Sequence, residues 1–345
     1  MWISKEQISN DCIIGDTYIE FADDGKNGEI IVENLIFCLN ATMPIFFTML
    51  LGYAFRQIGL MDESFVKKMN RFVFKAALPM LLLEDMWEAD FKTLWDGKFV
   101  GFCIGVTVVS VLVCILLSKL VKDRSVRGEF VQAAFRSNTA ILGIAFIQNI
   151  YGEAGVASLM LIGTVPFYNI FAVIILSFIK PDREKLDGKL IKNTLRGIVT
   201  NPIILGIAGG LLLSLLKIPR VPIVTKTIHN LAVLATPLGL MAIGGSFEGK
   251  KALAKLKTTL GCSFVRLVGI ASLALPLAAA VGFRDQELVS VLVMAGSSTA
   301  VSSFIMAKNM GHEGVLTSSV VMVTTLGSAF TLTGWLYILR LLGLV

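Results

Sequence analysis

Asn138-Thr139-Ala140, followed by Asn149 and Glu153, returns 160 positions later as Ser298-Thr299-Ala300, followed by Asn309 and Glu313. Upstream, Pro44, Gly52, Ala77 and Pro79 return 158 positions later as Pro202, Gly210, Ala235 and Pro237. One small insertion accounts for the change of offset. Each copy takes in five apolar runs. A membrane unit with an odd number of spans must insert its second copy upside down, and inverted repeats of this kind mark alternating-access secondary transporters.

The surrounding composition agrees with a membrane protein. Of the 345 residues, 55% are apolar and only 16% charged, with a mean hydropathy of +0.76, far from the balance of a soluble domain. The apolar residues come in runs of roughly 20, the length of a membrane-crossing helix. Ten spans are predicted, at about 31–55, 71–91, 98–120, 130–150, 155–179, 196–216, 223–246, 259–281, 288–309 and 315–342. The fold class is therefore an all-α polytopic membrane protein, a 5+5 inverted repeat. Residues 1–30 form an acidic tail, 31–180 the first repeat, 181–194 a connector and 195–345 the second repeat.

The net charge of +6 does not point to nucleic acid, because the basic residues sit in short loops between spans. Twenty lysines and arginines lie on the side of the 1–2, 3–4, 5–6, 7–8 and 9–10 loops, against nine on the other. The richer side faces the cytoplasm, which puts both termini outside the cell membrane. The first 30 residues carry seven acids and two lysines and lack the order of a signal peptide. The five cysteines have no paired spacing, so neither a disulfide framework nor a metal site is expected. The motifs of metalloproteases, serine hydrolases and Walker-type nucleotide binders are missing, so no enzyme activity, cofactor or ATP-driven step is expected.

Spans 4 and 9 hold the candidate site. Arg136-Ser137-Asn138-Thr139 interrupts span 4, and Gly296-Ser297-Ser298-Thr299, then Ser302-Ser303, interrupts span 9. Polar runs at mid-membrane are costly unless they face protein or a water-filled cavity. Two breaks at matching repeat positions predict two unwound segments that cross, with half-helix N-termini offered to an anion. The candidate binding residues are Arg136, Ser137, Asn138, Thr139, Ser297, Ser298, Thr299 and Ser302. Close packing of small residues is the competing account.

Arg136 admits two readings: a bidentate partner for a carboxylate, or a side chain that snorkels to the cytoplasmic interface. Glu84 and Asp85 are candidates for proton or ion coupling, against an ordinary water-exposed helix end. Tyr168, Asn169, Gln148 and His229 read as interhelical hydrogen-bonding residues. Gly206, Gly209 and Gly210 suit close packing within the monomer or between monomers.

Leu60-Met61-Asp62, Ala77-Leu78-Pro79, Arg136-Ser137-Asn138-Thr139-Ala140, Ala235-Thr236-Pro237-Leu238, Gly244-Gly245-Ser246-Phe247 and Ser298-Thr299-Ala300-Val301 together resemble the auxin efflux carrier family, which includes bacterial malate and malonate permeases. The resemblance covers about residues 31–342. It implies a scaffold of spans 1, 2, 6 and 7 that dimerises, and a mobile transport domain of spans 3–5 and 8–10. It also implies substrate at the crossing of spans 4 and 9, with Asn138 binding it. Ala145 stands where many relatives carry proline, and Ser298 and Ser302 stand where many carry proline and asparagine. The expected function is secondary transport of a small organic anion, such as a dicarboxylate or an auxin-like acid. The rivals are a sodium-coupled symporter of the bile-acid type, a membrane anion sensor and an intramembrane enzyme.

Overall fold

A computed structural model describes residues 24–88, 96–140, 144–152, 156–180 and 188–345. Among these residues the chain is helical, with no strand. Its helices are α1 (Asp24–Gln57), α2 (Glu63–Phe72), α3 (Leu78–Glu88), α4 (Gly97–Ser118), α5 (Arg127–Phe135) and α6 (Ile144–Tyr151). They continue as α7 (Ala157–Phe178), α8 (Gly188–Val199), α9 (Pro202–Leu215), α10 (Pro222–Ala232), α11 (Ala235–Gly245) and α12 (Gly249–Ala254). The last five are α13 (Leu256–Phe264), α14 (Ile270–Val281), α15 (Asp285–Gly296), α16 (Ser302–Asn309) and α17 (Val315–Leu341).

Six helical stretches are long and apolar enough to cross a membrane: Val32–Gln57, Gly97–Ser118, Leu159–Phe178, Pro222–Gly245, Leu256–Val281 and Val315–Leu341. Pro202–Leu215 is a shorter apolar helix. Phe47, Leu116, Leu212, Phe264 and Leu277 are all roughly half exposed or more, an arrangement suited to lipid and unsuited to water.

Helix boundaries follow local chemistry. Asp62 caps α2 by accepting from the Phe65 N–H, and Asp96 caps α4 by accepting from the Lys98 and Phe99 N–H groups. Asn201 caps α9, and Pro202 fills the first turn, where no N–H is needed. Pro79 cannot donate to the carbonyl four residues back, and a single π turn over Val73–Ala77 absorbs the mismatch.

Several sequence expectations change. The helix over the predicted span 2 begins before residue 71: α2 carries Lys67, Lys68 and Arg71, which read as loop charges because this helix is amphipathic. Span 7, expected over 223–246, is matched by the stretch Pro222–Gly245, with a turn at Val233–Leu234 between α10 and α11. The hydrophilic connector predicted over 181–194 is in part helix α8; residues 181–187 lie outside the described residues. Lys189, Lys192 and Arg196 recur at helical spacing, so they lower the average hydropathy without stopping the helix. Helix α1 starts at Asp24, inside the predicted tail 1–30, whose first 23 residues lie outside the described residues, as does Glu153.

Two groups of helices pack against each other. In one, α3 lies along α9 and α10, and α1 lies along α11. In the other, α4, α5 and α7 pack together with α13 to α17. Helix α17 also runs along α1 and joins the groups. The first group is held by close approach at glycine. A Cβ on Gly52 would lie 2.3 Å from the Met241 carbonyl oxygen, and one on Gly210 would lie 2.4 Å from that of Leu83. At Gly206 the obstacle is the Pro79 carbonyl, at 2.5 Å, and at Gly244 it is the Met49 carbonyl, at 1.8 Å. Gly206 and Gly210, four apart, therefore pack within the monomer, in the small-residue spacing familiar from membrane helices. Gly244→Ala is expected to force α1 and α11 apart and to destabilise by about 1–3 kcal/mol, read as a lowered melting temperature in detergent.

Candidate functional site

Helices α5 and α15 both end in mid-protein, and their chains continue as extended segments that meet. The Asn138 N–H donates to the Ser298 carbonyl at 2.9 Å, and the Ala300 N–H donates to the Arg136 carbonyl at 3.3 Å. Ser137 thus faces Thr299 in a one-residue antiparallel bridge. The pairing supplies partners for backbone groups that a broken helix strands away from water. Side chains reinforce it: the Ser137 and Ser297 hydroxyls are 2.6 Å apart, the Thr299 hydroxyl donates to the Ala133 carbonyl, and the Thr299 N–H donates to the Thr324 hydroxyl. Short hydroxylated residues suit such breaks because they bond backbone groups locally.

One face of this crossing lines a cavity of about 80 Å³. Of the sequence candidates, Arg136, Ser137, Asn138, Thr139, Ser302 and Asp85 border it. Ser297, Ser298 and Thr299 do not. They are fully buried behind the cavity, where Ser297 and Thr299 are engaged in the crossing and the Ser298 hydroxyl has no partner among the described residues. Glu84 is also absent from the lining; its carboxylate meets His229 Nδ1 at 3.0 Å. Adjacent helical residues point about 100° apart, so Glu84 and Asp85 cannot share one role. Tyr168, Asn169 and Thr236 join the lining, though none was among the candidate binding residues. Tyr168 and Asn169 do make the expected interhelical hydrogen bonds, to the Met294 carbonyl and to Arg136.

Arg136 does not snorkel. It is 4% exposed at the end of α5, and its guanidinium donates to Asn169 Oδ1 and to the Met306 sulfur. Both partners are neutral, and no carboxylate pairs with Arg136 among the described residues. An uncompensated buried cation is costly and attracts an anion. The Asn138 carboxamide, on a residue 7% exposed, likewise makes no side-chain hydrogen bond among the described residues. It is a donor and acceptor pair held at the cavity wall by backbone bonds. Asp85, on α3, contributes the opposite charge, also without a hydrogen-bond or ion-pair partner there.

A second cation, Arg266, which was not among the site candidates, is 0% exposed between α13 and α14. The sequence did hold its signal, a lone arginine near the centre of the apolar stretch 256–281. Arg266 does not border the cavity.

Comparison with family models matches residues 37–336 to the family described as Membrane transport protein. A search of curated proteins gave no match.

Proposed function

Because the chain belongs to the membrane transport protein family, the auxin efflux carrier family its motifs resemble, we propose that it is a secondary carrier of a small organic anion. The chain is a multi-pass membrane transporter. The observation that carries the finer reading is the cavity at the meeting of the two helix breaks, bordered by the guanidinium of Arg136, which has no ion-pair partner among the described residues, by the free carboxamide of Asn138, and by Asp85. A carboxylate entering there would replace lost water with a charge-assisted bond from Arg136 and a neutral bond from Asn138. Thr139 and Ser302 border the cavity beside them, whereas the Ser137 hydroxyl is engaged with Ser297 and the Val293 carbonyl.

Ten spans in a 5+5 inverted repeat fit this reading. The paired approaches of Gly52 to Met241 and Gly210 to Leu83 are related by the same 158-residue offset as the repeat, which supports it. In the proposed cycle, α4–α7 and α13–α17 move as a body against α1–α3 and α9–α11. The excess of basic residues on one side favours a cell-membrane location with both termini outside. Apolar side chains exposed on α1 and α9, such as Leu50 and Leu212, are compatible with a homodimer through spans 1, 2, 6 and 7.

The test is thermal stabilisation of the purified protein by malate, malonate and indole acetate, each with and without sodium. A ligand that binds only the folded state raises the melting temperature by mass action. Stabilisation by one of these that disappears in Asn138→Ala supports the carrier reading; equal stabilisation of the variant removes Asn138 from the site. No stabilisation by any carboxylate sinks the organic-anion assignment.

Asp85 favours a coupled cycle. A bare carboxylate beside an anion site repels the substrate unless it is neutralised, and a proton is the smallest agent that can do so. The expected result is that Asp85→Asn, a permanently neutral substitute, makes carboxylate uptake into liposomes independent of a pH gradient. Uptake by Asp85→Asn that still follows the gradient excludes Asp85 as the proton carrier.

A further inference from the structure

Arg266 leaves its helix in the π turn Val265–Gly269, an irregularity frequent at functional sites, and reaches between α5 and α15. Its Nε donates to the Ser297 carbonyl at 3.0 Å. One terminal nitrogen donates to the Phe135 carbonyl at 2.8 Å and to that of Ala134 at 3.4 Å. The other donates to the Met294 carbonyl at 2.8 Å. All four acceptors are carbonyls from the C-terminal ends of the two half-helices, which have no onward helical partner.

The charges also match. Each helix C-terminus carries the equivalent of roughly −0.5 elementary charge. Two ends converging on one point amount to roughly −1, and a single guanidinium balances them. No acidic side chain pairs with Arg266 among the described residues. The C-terminal ends of broken half-helices, with their unwound carbonyls, are where carriers of inverted-repeat design coordinate a coupling sodium ion or proton. Sodium would need these same carbonyl lone pairs, beside a fixed positive charge that repels it.

We infer that Arg266 is a tethered cation occupying the coupling-ion position between the two half-helix ends, so that this carrier holds its crossing closed without sodium. The inference rests on the carrier reading and narrows it. It argues against a sodium ion at this crossing, as a symporter of the bile-acid type would need. Arg266 is a positioning residue: it does not border the cavity at the crossing, and it acts by fixing the segments that carry Arg136, Ser137 and Asn138.

The experiment compares melting temperatures of the full-length protein in sodium chloride and in choline chloride at equal ionic strength, without substrate. The wild type is expected to melt at the same temperature in both. Arg266→Ala is expected to melt several degrees lower in choline, and to recover part of that loss with millimolar guanidinium chloride or with sodium, but not with urea. A response to sodium gained by the variant is something an ordinary packing residue would not produce. Arg266→Lys, which keeps a cation, should lie between the two without needing an added ion. Sodium stabilisation of the wild type, or an Arg266→Ala variant that no cation rescues, overturns the inference. If Arg266→Ala does not fold, the wild-type comparison decides. Because no carboxylate is present, failure here is distinct from failure of the organic-anion assignment.

Discussion

Arg136→Gln is expected to weaken carboxylate binding by about 2–5 kcal/mol, roughly thirtyfold to a few thousandfold, while leaving the protein folded. Removing one partner of a buried, hydrogen-bonded charge pair has effects of this size. Glutamine can still bond Asn169, so the neutral framework at the end of α5 survives. What disappears is the only cation bordering the cavity among the described residues. Arg136→Lys should fall between wild type and Arg136→Gln. A lysine keeps the charge but cannot hold Asn169 and Met306 in one plane while presenting an edge to substrate. Titration of the carboxylate found in the stabilisation assay, against both variants, measures the loss. Undiminished affinity in Arg136→Gln would mean that the anion is held by hydroxyls and dipoles alone.

Glu129→Ala should lower stability by about 3–5 kcal/mol, the largest effect expected of any substitution away from the crossing. Glu129 lies on α5, is 0% exposed, and caps the first turn of α17 from outside that helix. One carboxylate oxygen accepts the Gly314 N–H at 2.9 Å; the other accepts the Thr317 N–H at 3.0 Å and the Thr317 hydroxyl at 2.9 Å. The N-terminus of α17 welcomes negative charge, and the four leading N–H groups of any helix need outside acceptors. Alanine would strand three donors in an apolar interior. Glu129→Gln keeps one acceptor oxygen and should cost less, about 1–2 kcal/mol. The order of melting temperatures, wild type above Glu129→Gln above Glu129→Ala, is the check. Equal melting of wild type and Glu129→Ala would mean that water reaches the end of α17.

Glu129 and Arg266 illustrate where reading the chain in order stops. Arg266 stands in a stretch whose average hydropathy marks it as membrane helix, and Glu129 one residue before the predicted start of span 4. Neither reveals its partners locally, because those partners lie 28 to 188 positions away. Arg266 had a signal, since a lone charge at mid-span is functional by default. Glu129 had none, because an acid near a helix end beside basic loop residues reads equally well as interfacial. The pair Glu84 and Asp85 shows the same limit within a single turn. As sequence they form one acidic cluster, and only the rotation of α3 against its neighbours sends one to His229 and the other to the cavity.

The chain read alone marks a helical membrane protein that resembles a transporter family and whose helices break at Arg136–Thr139 and Gly296–Thr299. Hydropathy and the cost of polar groups in lipid act on short stretches of chain, so they can be read there. The paired polar runs also put Arg136, Ser137, Asn138, Thr139, Ser297, Ser298, Thr299 and Ser302 near one another as one candidate site. Only the tertiary structure decided which polar residues face the cavity and which are used up inside the crossing. Ser297 and Thr299 are consumed by bonds to Ser137, Ala133 and Thr324, while Asn138 is held by its backbone and keeps its side chain free. It also decided that the carbonyls of the converging half-helix ends meet the guanidinium of Arg266, while Arg136 borders the cavity. Those outcomes depend on which segments approach one another in space. A buried polar group takes whatever partner the packing brings within about 3 Å, and sequence distance has no say in it.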